Sequence, residues 1–283
     1  MLAACAAFAC MDALLKILAG TFPPAQVAAL RGLTGLPLVC LYVAWRGDSR
    51  LLFSRRLRWG LHAARGVLSL LMLVMFAFGL KSLGLAEAYT LTFVAPLIIT
   101  LLSVPLLGER VRTRHWVAIA AGFIGVVVAL RPEQDAFLSM GALAILAAAV
   151  CYALSNVLGR LVSRSEPSST LVFWTTAGLA LGGAALAAPQ WVPLAPEHAW
   201  PLAGLALSGF LGQLAISEAF RHGQAAAIAP FEYSALAWGI ALDWPNWRAV
   251  PDAWTLGGGA IIIASGLYLA RSESRGRPAA RPA

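Results

Sequence analysis

The sequence predicts an all-α polytopic membrane protein, with ten transmembrane helices forming two inverted five-helix repeats. Three observations lead there. Apolar residues make up 60% of the 283 and charged residues only 12%, whereas a water-soluble domain is about half apolar and about a quarter charged. The chain also divides into apolar runs of the length that crosses a bilayer, about 20 residues at a rise of about 1.5 Å each. Finally, the arginines fall mostly on alternate turns between those runs.

The runs are taken in chain order. Residues 1–19 begin at Met1-Leu-Ala-Ala-Cys without a basic leader, so they read as a retained first helix and not as a secretory signal. Phe22-Pro23-Pro24 punctuates the step to the second run, 25–45, and a basic stretch leads to the third, 60–80. The fourth, 84–106, contains Pro96, and the fifth, 115–131, closes on Arg131-Pro132. The sixth and seventh, 138–160 and 168–188, end at a short polar turn and at Pro189. The eighth, ninth and tenth are 199–220, 225–243 and 253–270, and Pro230 lies inside the ninth. Proline and glycine between apolar runs favour short helix-to-helix turns. The last residues, 272–283, read as a disordered cytoplasmic basic tail.

Charge placement orients these helices. With a cytoplasmic N-terminus, the inner segments 46–59, 107–114, 161–167 and 221–224 and the tail carry most of the arginines, among them Arg46, Arg50, Arg58, Arg110, Arg164 and Arg275. The outer segments hold Lys81, Arg131 and Arg248 against Glu133, Asp135, Glu197, Asp243 and Asp252. Short cytoplasmic loops collect Lys and Arg, so a multi-pass protein of the inner (plasma) membrane with both termini cytoplasmic is expected.

The halves 1–132 and 133–271 also resemble each other. Thr92-Phe-Val-Ala-Pro96 leads through a polar turn to Trp116 and a glycine-bearing helix; Ala227-Ile-Ala-Pro230 leads to Trp254 and another. Five spans per half force the second half to insert upside down. The basic turn 108–114 and its net acidic counterpart 243–252 agree with that. Inverted repeats recur in secondary transporters, with the substrate site near the midplane.

Other classes find little support. The net charge of +8 sits in turns without aromatic interleaving, so nucleic acid is not an expected partner. Cys5, Cys10, Cys40 and Cys151 lie in apolar runs without zinc spacing, and His62, His115, His198 and His222 are scattered, so no metal is expected. No phosphate-binding Gly-x-x-x-x-Gly-Lys-Ser/Thr pattern occurs, and no catalytic set marks an intramembrane enzyme. No cofactor is implied. A non-transporting scaffold remains the alternative to a carrier.

Ionisable side chains within spans cost roughly 2.5–3.5 kcal/mol each to insert and so need a reason. Asp12 and Lys16 share a helical face four residues apart, either as an ion pair or with one of them meeting a substrate charge. Arg31 reads equally as ligand contact or ion-pair partner. Arg65, near the basic loop, is expected to snorkel to the interface. Glu87 and Glu218 are further candidates, but Glu232 is the strongest. It follows Pro230, which frees a backbone carbonyl, and broken backbone at membrane depth is tolerated where it lines a wet cavity. Such a carboxylate holds a cationic group or cycles a proton, unless it pairs with Arg31 or another base. Pro96 repeats the break, making Pro96 and Pro230 candidate hinges. Tyr89, Phe93, Tyr152, Asn156, Trp174, Gln213, Phe231 and Tyr233 complete the candidate substrate-binding set. Trp191, Trp200, Trp244 and Trp247 read as an outer aromatic belt.

Tyr89-Thr-Leu-Thr-Phe-Val-Ala-Pro-Leu-Ile followed by Leu107-Gly-Glu-Arg-Val resembles the end of a drug/metabolite transporter repeat of the EamA type. So does Ala229-Pro-Phe-Glu-Tyr233 with Val250-Pro-Asp-Ala-Trp254 and Ile263-Ala-Ser-Gly-Leu-Tyr268. The resemblance covers nearly the whole chain as two tandem repeats. It implies a ten-helix carrier that works by alternating access. Met11-Asp-Ala-Leu-Leu-Lys16 and Ala229-Pro-Phe-Glu-Tyr233 are most similar to bacterial carriers of S-adenosylmethionine or riboflavin uptake, and amino-acid exporters share the fold. One departure is Asp243-Trp-Pro-Asn-Trp, where a Gly-Glu-Arg-type turn is expected. The partners implied are a small-molecule substrate, the lipid bilayer and a coupling proton or ion, with a homodimer left open.

Overall fold

In the computed structural model, α1 (Leu2–Ala19), α2 (Pro24–Arg46) and α3 (Trp59–Gly79) come first along the chain, and each is bounded by residues that its sequence supplies. Pro24 occupies the first turn of α2, where its missing N–H costs nothing, and Gly47 ends the helix at φ 71°. Gly108 ends the helix Ala95–Leu107 the same way at φ 66°. A left-handed backbone at a helix C-terminus suits glycine, which has no Cβ to clash.

The structure describes residues 1–54, 57–83, 85–108, 113–130, 139–223 and 228–247, and beyond these 253, 254, 257, 258, 260, 261, 264, 265 and 268. Every regular element among them is helical. After α3 come α4 (Leu85–Thr92), α5 (Ala95–Leu107), α6 (Thr113–Leu130), α7 (Met140–Ser163), α8 (Ser168–Ala187) and α9 (Ala199–His222); a 3₁₀ turn (Ala229–Tyr233) then leads to α10 (Ser234–Trp247).

The fourth apolar run is thus not one helix. It divides at Phe93–Val94 into α4 and α5, because Pro96 has no N–H to bond the carbonyl one turn back. In the ninth run a 3₁₀ turn, Ala229–Tyr233, holds Pro230 ahead of the next helix for the same reason. Most of the tenth run, and the tail, lie outside the described residues, as do the side chains of Asp243–Trp247.

Among the described residues, six helices are long and apolar enough to cross a membrane: Leu2–Ala19, Pro24–Arg46, Trp59–Gly79, Met140–Ser163, Ser168–Gln190 and Pro196–His222. They are apolar on both faces. Leu41 and Leu181 stand 68% and 71% exposed while the opposite faces are buried. Water does not reward that arrangement; lipid does. Trp191 and Trp200 are exposed, at the foot of the 188–198 segment.

The helix pairings repeat. α2 packs on α8; α1 on α9 and α3 on α7; α2 on α9 and α3 on α8; α5 on α7 and α1 on α10. Matching the first helix of one half with the first of the other converts each pairing into its mate. The α2–α8 crossing is made of backbone. A Cβ on Gly32 would fall on the Ala180 backbone, and one on Gly183 would come within 2.6 Å of the Ala29 nitrogen. Small residues at a crossing let helices approach closely.

Polar contacts tie the two ends of the bundle. At one end Ser169 donates to Asp48 (2.5 Å), Arg164 to the Leu107 carbonyl (2.8 Å) and Arg160 to the carbonyls of Phe220 (2.6 Å) and Arg221 (2.8 Å). At the other, Gln26 donates to the Val192 carbonyl (2.6 Å) and accepts from its N–H (2.8 Å).

Candidate functional site

Between the ends lies a cavity of about 140 Å³. Helical spacing supplies its walls. On α1, Cys5, Phe8 and Asp12 face it; on α3, Arg65, Ser69, Leu73 and Phe76; on α7, Ala148, Tyr152 and Ser155. Each set recurs at three- or four-residue steps, which is one face of a helix. Arg31 enters from α2, Tyr89 from α4, Phe93 from the break between α4 and α5, Gln213 from α9 and Glu232 from the 3₁₀ turn.

The ionisable groups are ordered into two carboxylate–tyrosine pairs. Tyr89 donates its hydroxyl to Asp12 Oδ2 at 3.0 Å, and Tyr152 donates to Glu232 Oε1 at 3.3 Å. In the first pair the acid is on α1 and the phenol on the fourth run. In the second the phenol is on α7 and the acid on the ninth run. The two pairs therefore exchange roles between the halves. Arg31 lies over the Phe8 ring, 5.8 Å from its centroid, a cation–π distance. Among the described residues no ion pair within 4.0 Å joins Arg31 or Glu232 to an opposite charge. The Glu232–Arg31 bridge considered from sequence is not formed.

Of the candidates, the fold brings together Asp12, Arg31, Tyr89, Phe93, Tyr152, Asn156, Gln213 and Glu232. Lys16, Trp174, Phe231 and Tyr233 are not among the residues lining this cavity. Lys16 lies one turn beyond Asp12, half-buried. Trp174 donates to the Leu52 carbonyl at 3.1 Å and packs edge-on against Phe53 and Trp59, near the Asp48 end. Tyr233 is fully buried, donating to the Ile119 carbonyl at 3.3 Å and packing on Phe93. Phe231 offers its carbonyl to the Cys5 thiol at 3.6 Å. Pro96 is buried at the start of α5; the side chains of Pro230 and Glu87 lie outside the described residues.

Arg65 corrects the expectation of snorkelling. It is 4% exposed, donates Nε to the Ser155 carbonyl at 3.2 Å and lines the cavity. Gly159 makes this possible: a Cβ there would stand 3.2 Å from the guanidinium. A buried pair near the Asp48 end is scarcely marked in the sequence. His62 Nε2 and Glu166 Oε2 lie 2.6 Å apart, and Glu166 Oε1 accepts from the Arg58 amide at 3.0 Å. The only available signal was a lone acid in the basic turn 161–167.

Comparison with known proteins accords with this architecture. The EamA-like transporter family matches residues 1–131 and 139–271. The pseudopaline exporter CntI of Pseudomonas aeruginosa (strain UCBPP-PA14) is 28% identical over 268 residues, 94% of this chain and 93% of that one. An S-adenosylmethionine uptake transporter of Rickettsia conorii is 26% identical over 264 residues, 93% and 88% of the two chains. A riboflavin transporter of Rhizobium johnstonii is 30% identical over 217 residues, 76% and 71%. One solved structure shares the fold with a TM-score of 0.77 at 21% identity, covering 95% of this chain and 97% of the other.

Proposed function

This chain belongs to the EamA-like transporter family, and from that premise we propose that it is a secondary carrier moving a small polar or amphipathic metabolite across the inner membrane by alternating access. It is a multi-pass membrane protein, and its relatives carry metabolites. The observation that carries the proposal is the cavity itself, where Asp12, Arg31 and Glu232 meet at mid-span with Tyr89, Phe93, Tyr152, Asn156 and Gln213. Charges in such a place are retained for a ligand or a relay. Candidate substrates are S-adenosylmethionine, riboflavin and amino acids, with Glu232 or Asp12 meeting a cationic group or a coupling proton.

Two halves, 1–132 and 133–271, act in this reading as inverted five-helix repeats giving ten spans. The exchangeable helix pairings and the two role-reversed carboxylate–tyrosine pairs support it. Pro96 and Pro230, each at an interruption of a span, serve as hinges. The Asp48 end faces the cytoplasm, since the basic turns gather there, and both termini share that side.

The test is uptake and counterflow of labelled S-adenosylmethionine, riboflavin and amino acids in proteoliposomes, with Glu232→Gln beside the wild type. Saturable movement of one compound is expected, reduced about tenfold or more in a monodisperse Glu232→Gln protein, the scale of one charge-assisted contact. If the folded wild-type protein moves nothing under any gradient, the carrier reading fails.

A further inference from the structure

Resting on the carrier reading, we propose that the cavity holds an anion subsite, built on Arg65 with Ser217, Asn156 and Gln213, that takes a carboxylate of the transported molecule. A small recess opens beside the main cavity and shares Arg65, Asn156, Gln213 and Ile216 with it. Gly159 and Ser217 complete its polar side. Two donors around this recess have no hydrogen-bond partner among the described residues, Nη1 of Arg65 and Oγ of Ser217, and the Asn156 amide lies beside the Tyr152 hydroxyl. Arg65 and Ser217 are 4% and 5% exposed.

Buried donors without partners are costly, and a buried guanidinium most of all. Among the described residues the chain does not supply the missing acceptor. No ion pair within 4.0 Å reaches Arg65 among the described residues, and Glu166, whose charge acts on Arg65 from farther off, is already held by His62 and the Arg58 amide. A guanidinium, a hydroxyl and an amide converging on one recess form a donor set for an anionic oxygen group. The planar fork of arginine matches a carboxylate in particular. The recess is also small, about 10 Å³, which suits carboxylate oxygens and not a bulky ring. Gly159 holds the site open, because a Cβ there would press on the guanidinium.

The substrate class follows. A carboxylate enters the recess, its cationic group, where present, reaches the Glu232–Tyr152 pair, and its apolar body lies along Phe8, Phe76 and Phe93. Carboxylate-bearing metabolites such as S-adenosylmethionine or amino acids meet this demand; riboflavin, which has no carboxylate, does not.

The deciding experiment measures proteoliposome uptake of labelled S-adenosylmethionine, L-phenylalanine and riboflavin, then competes each carried compound with an unlabelled carboxylate and with its primary amide. In the wild type the amide is expected to compete about tenfold or more weaker than the acid. Arg65→Gln removes that preference and raises the half-saturating concentration of the acid by about tenfold or more. Arg65→Lys recovers part of the loss. Gly159→Ala, which keeps the charge but displaces it, weakens the preference as well and covers the case in which Arg65→Gln does not fold. Equal competition by acid and amide, a preference that survives in a folded Arg65→Gln protein, or riboflavin as the sole compound carried would overturn the subsite and leave the carrier reading intact. Absence of flux for every compound would instead remove the carrier reading and this inference with it.

Discussion

Gln26 shows how a single side chain joins parts of the chain that lie 166 positions apart. It is fully buried, and both ends of its amide bond the backbone of Val192, at 2.6 and 2.8 Å. Nothing in the local sequence marks it, since a glutamine two residues into a helix reads as an ordinary polar first turn. Gln26→Ala removes both bonds and strands their partners, so a loss of about 1–2 kcal/mol is expected. The midpoint of thermal unfolding in detergent checks this, and an unchanged midpoint would mean that the clamp contributes nothing. Arg65 was hidden for a similar reason. The space it occupies belongs to Gly159 on another helix, and no spacing within α3 announces that vacancy. Glu232, by contrast, was legible because the proline two residues before it marks a broken helix at membrane depth.

Helices meet here by shape more than by polarity. The α2–α8 crossing has Gly32 over the Ala180 backbone and Gly183 over Ala29, so neither glycine can gain a Cβ unless the helices part. Gly32→Ala and Gly183→Ala are each expected to cost about 1–3 kcal/mol. Once either substitution has separated the helices, the second clash is partly relieved. The double variant should therefore lose less than the two single losses combined. Thermal midpoints of the three variants decide it; strict additivity would show that the two contacts are independent. The break between α4 and α5 belongs to the same scale. A hydropathy window reads 84–106 as one span, whereas Pro96 and the deeply buried Tyr89 and Phe93 make it two helices meeting beside the cavity.

Across the whole molecule the two ends of the bundle differ in charge, and the proposed orientation rests on that. With the four native cysteines replaced, Ser49→Cys and Ser165→Cys should react with a membrane-impermeant maleimide only after cells are permeabilised. Gln190→Cys should react in intact spheroplasts. All three positions are exposed, so a reversed labelling pattern would invert the proposed topology. The pairing of α1 with α9 and α3 with α7 also places both carboxylate–tyrosine pairs at the contact between halves. A rocking motion of one half against the other would act on that contact, as in other carriers built from repeats.

The apolar surface, the gathering of arginine in alternate turns and the doubling of the proline motif all come from the order of residues along one line. Hydropathy, loop charge and repetition are properties of that line, and lipid acts on them directly. Which faces meet is different. Gln213 and Trp174 are equally plausible polar-aromatic candidates on paper, yet one lines the cavity and the other packs near the Asp48 end. Depth along the helix and rotation about its axis separate them, and rotation is set by close contacts such as Gly32 on Ala180 and Gly66 on Gly178. In a helix apolar all round, hydrophobicity does not choose the inward face; the fit of small residues between neighbouring backbones does.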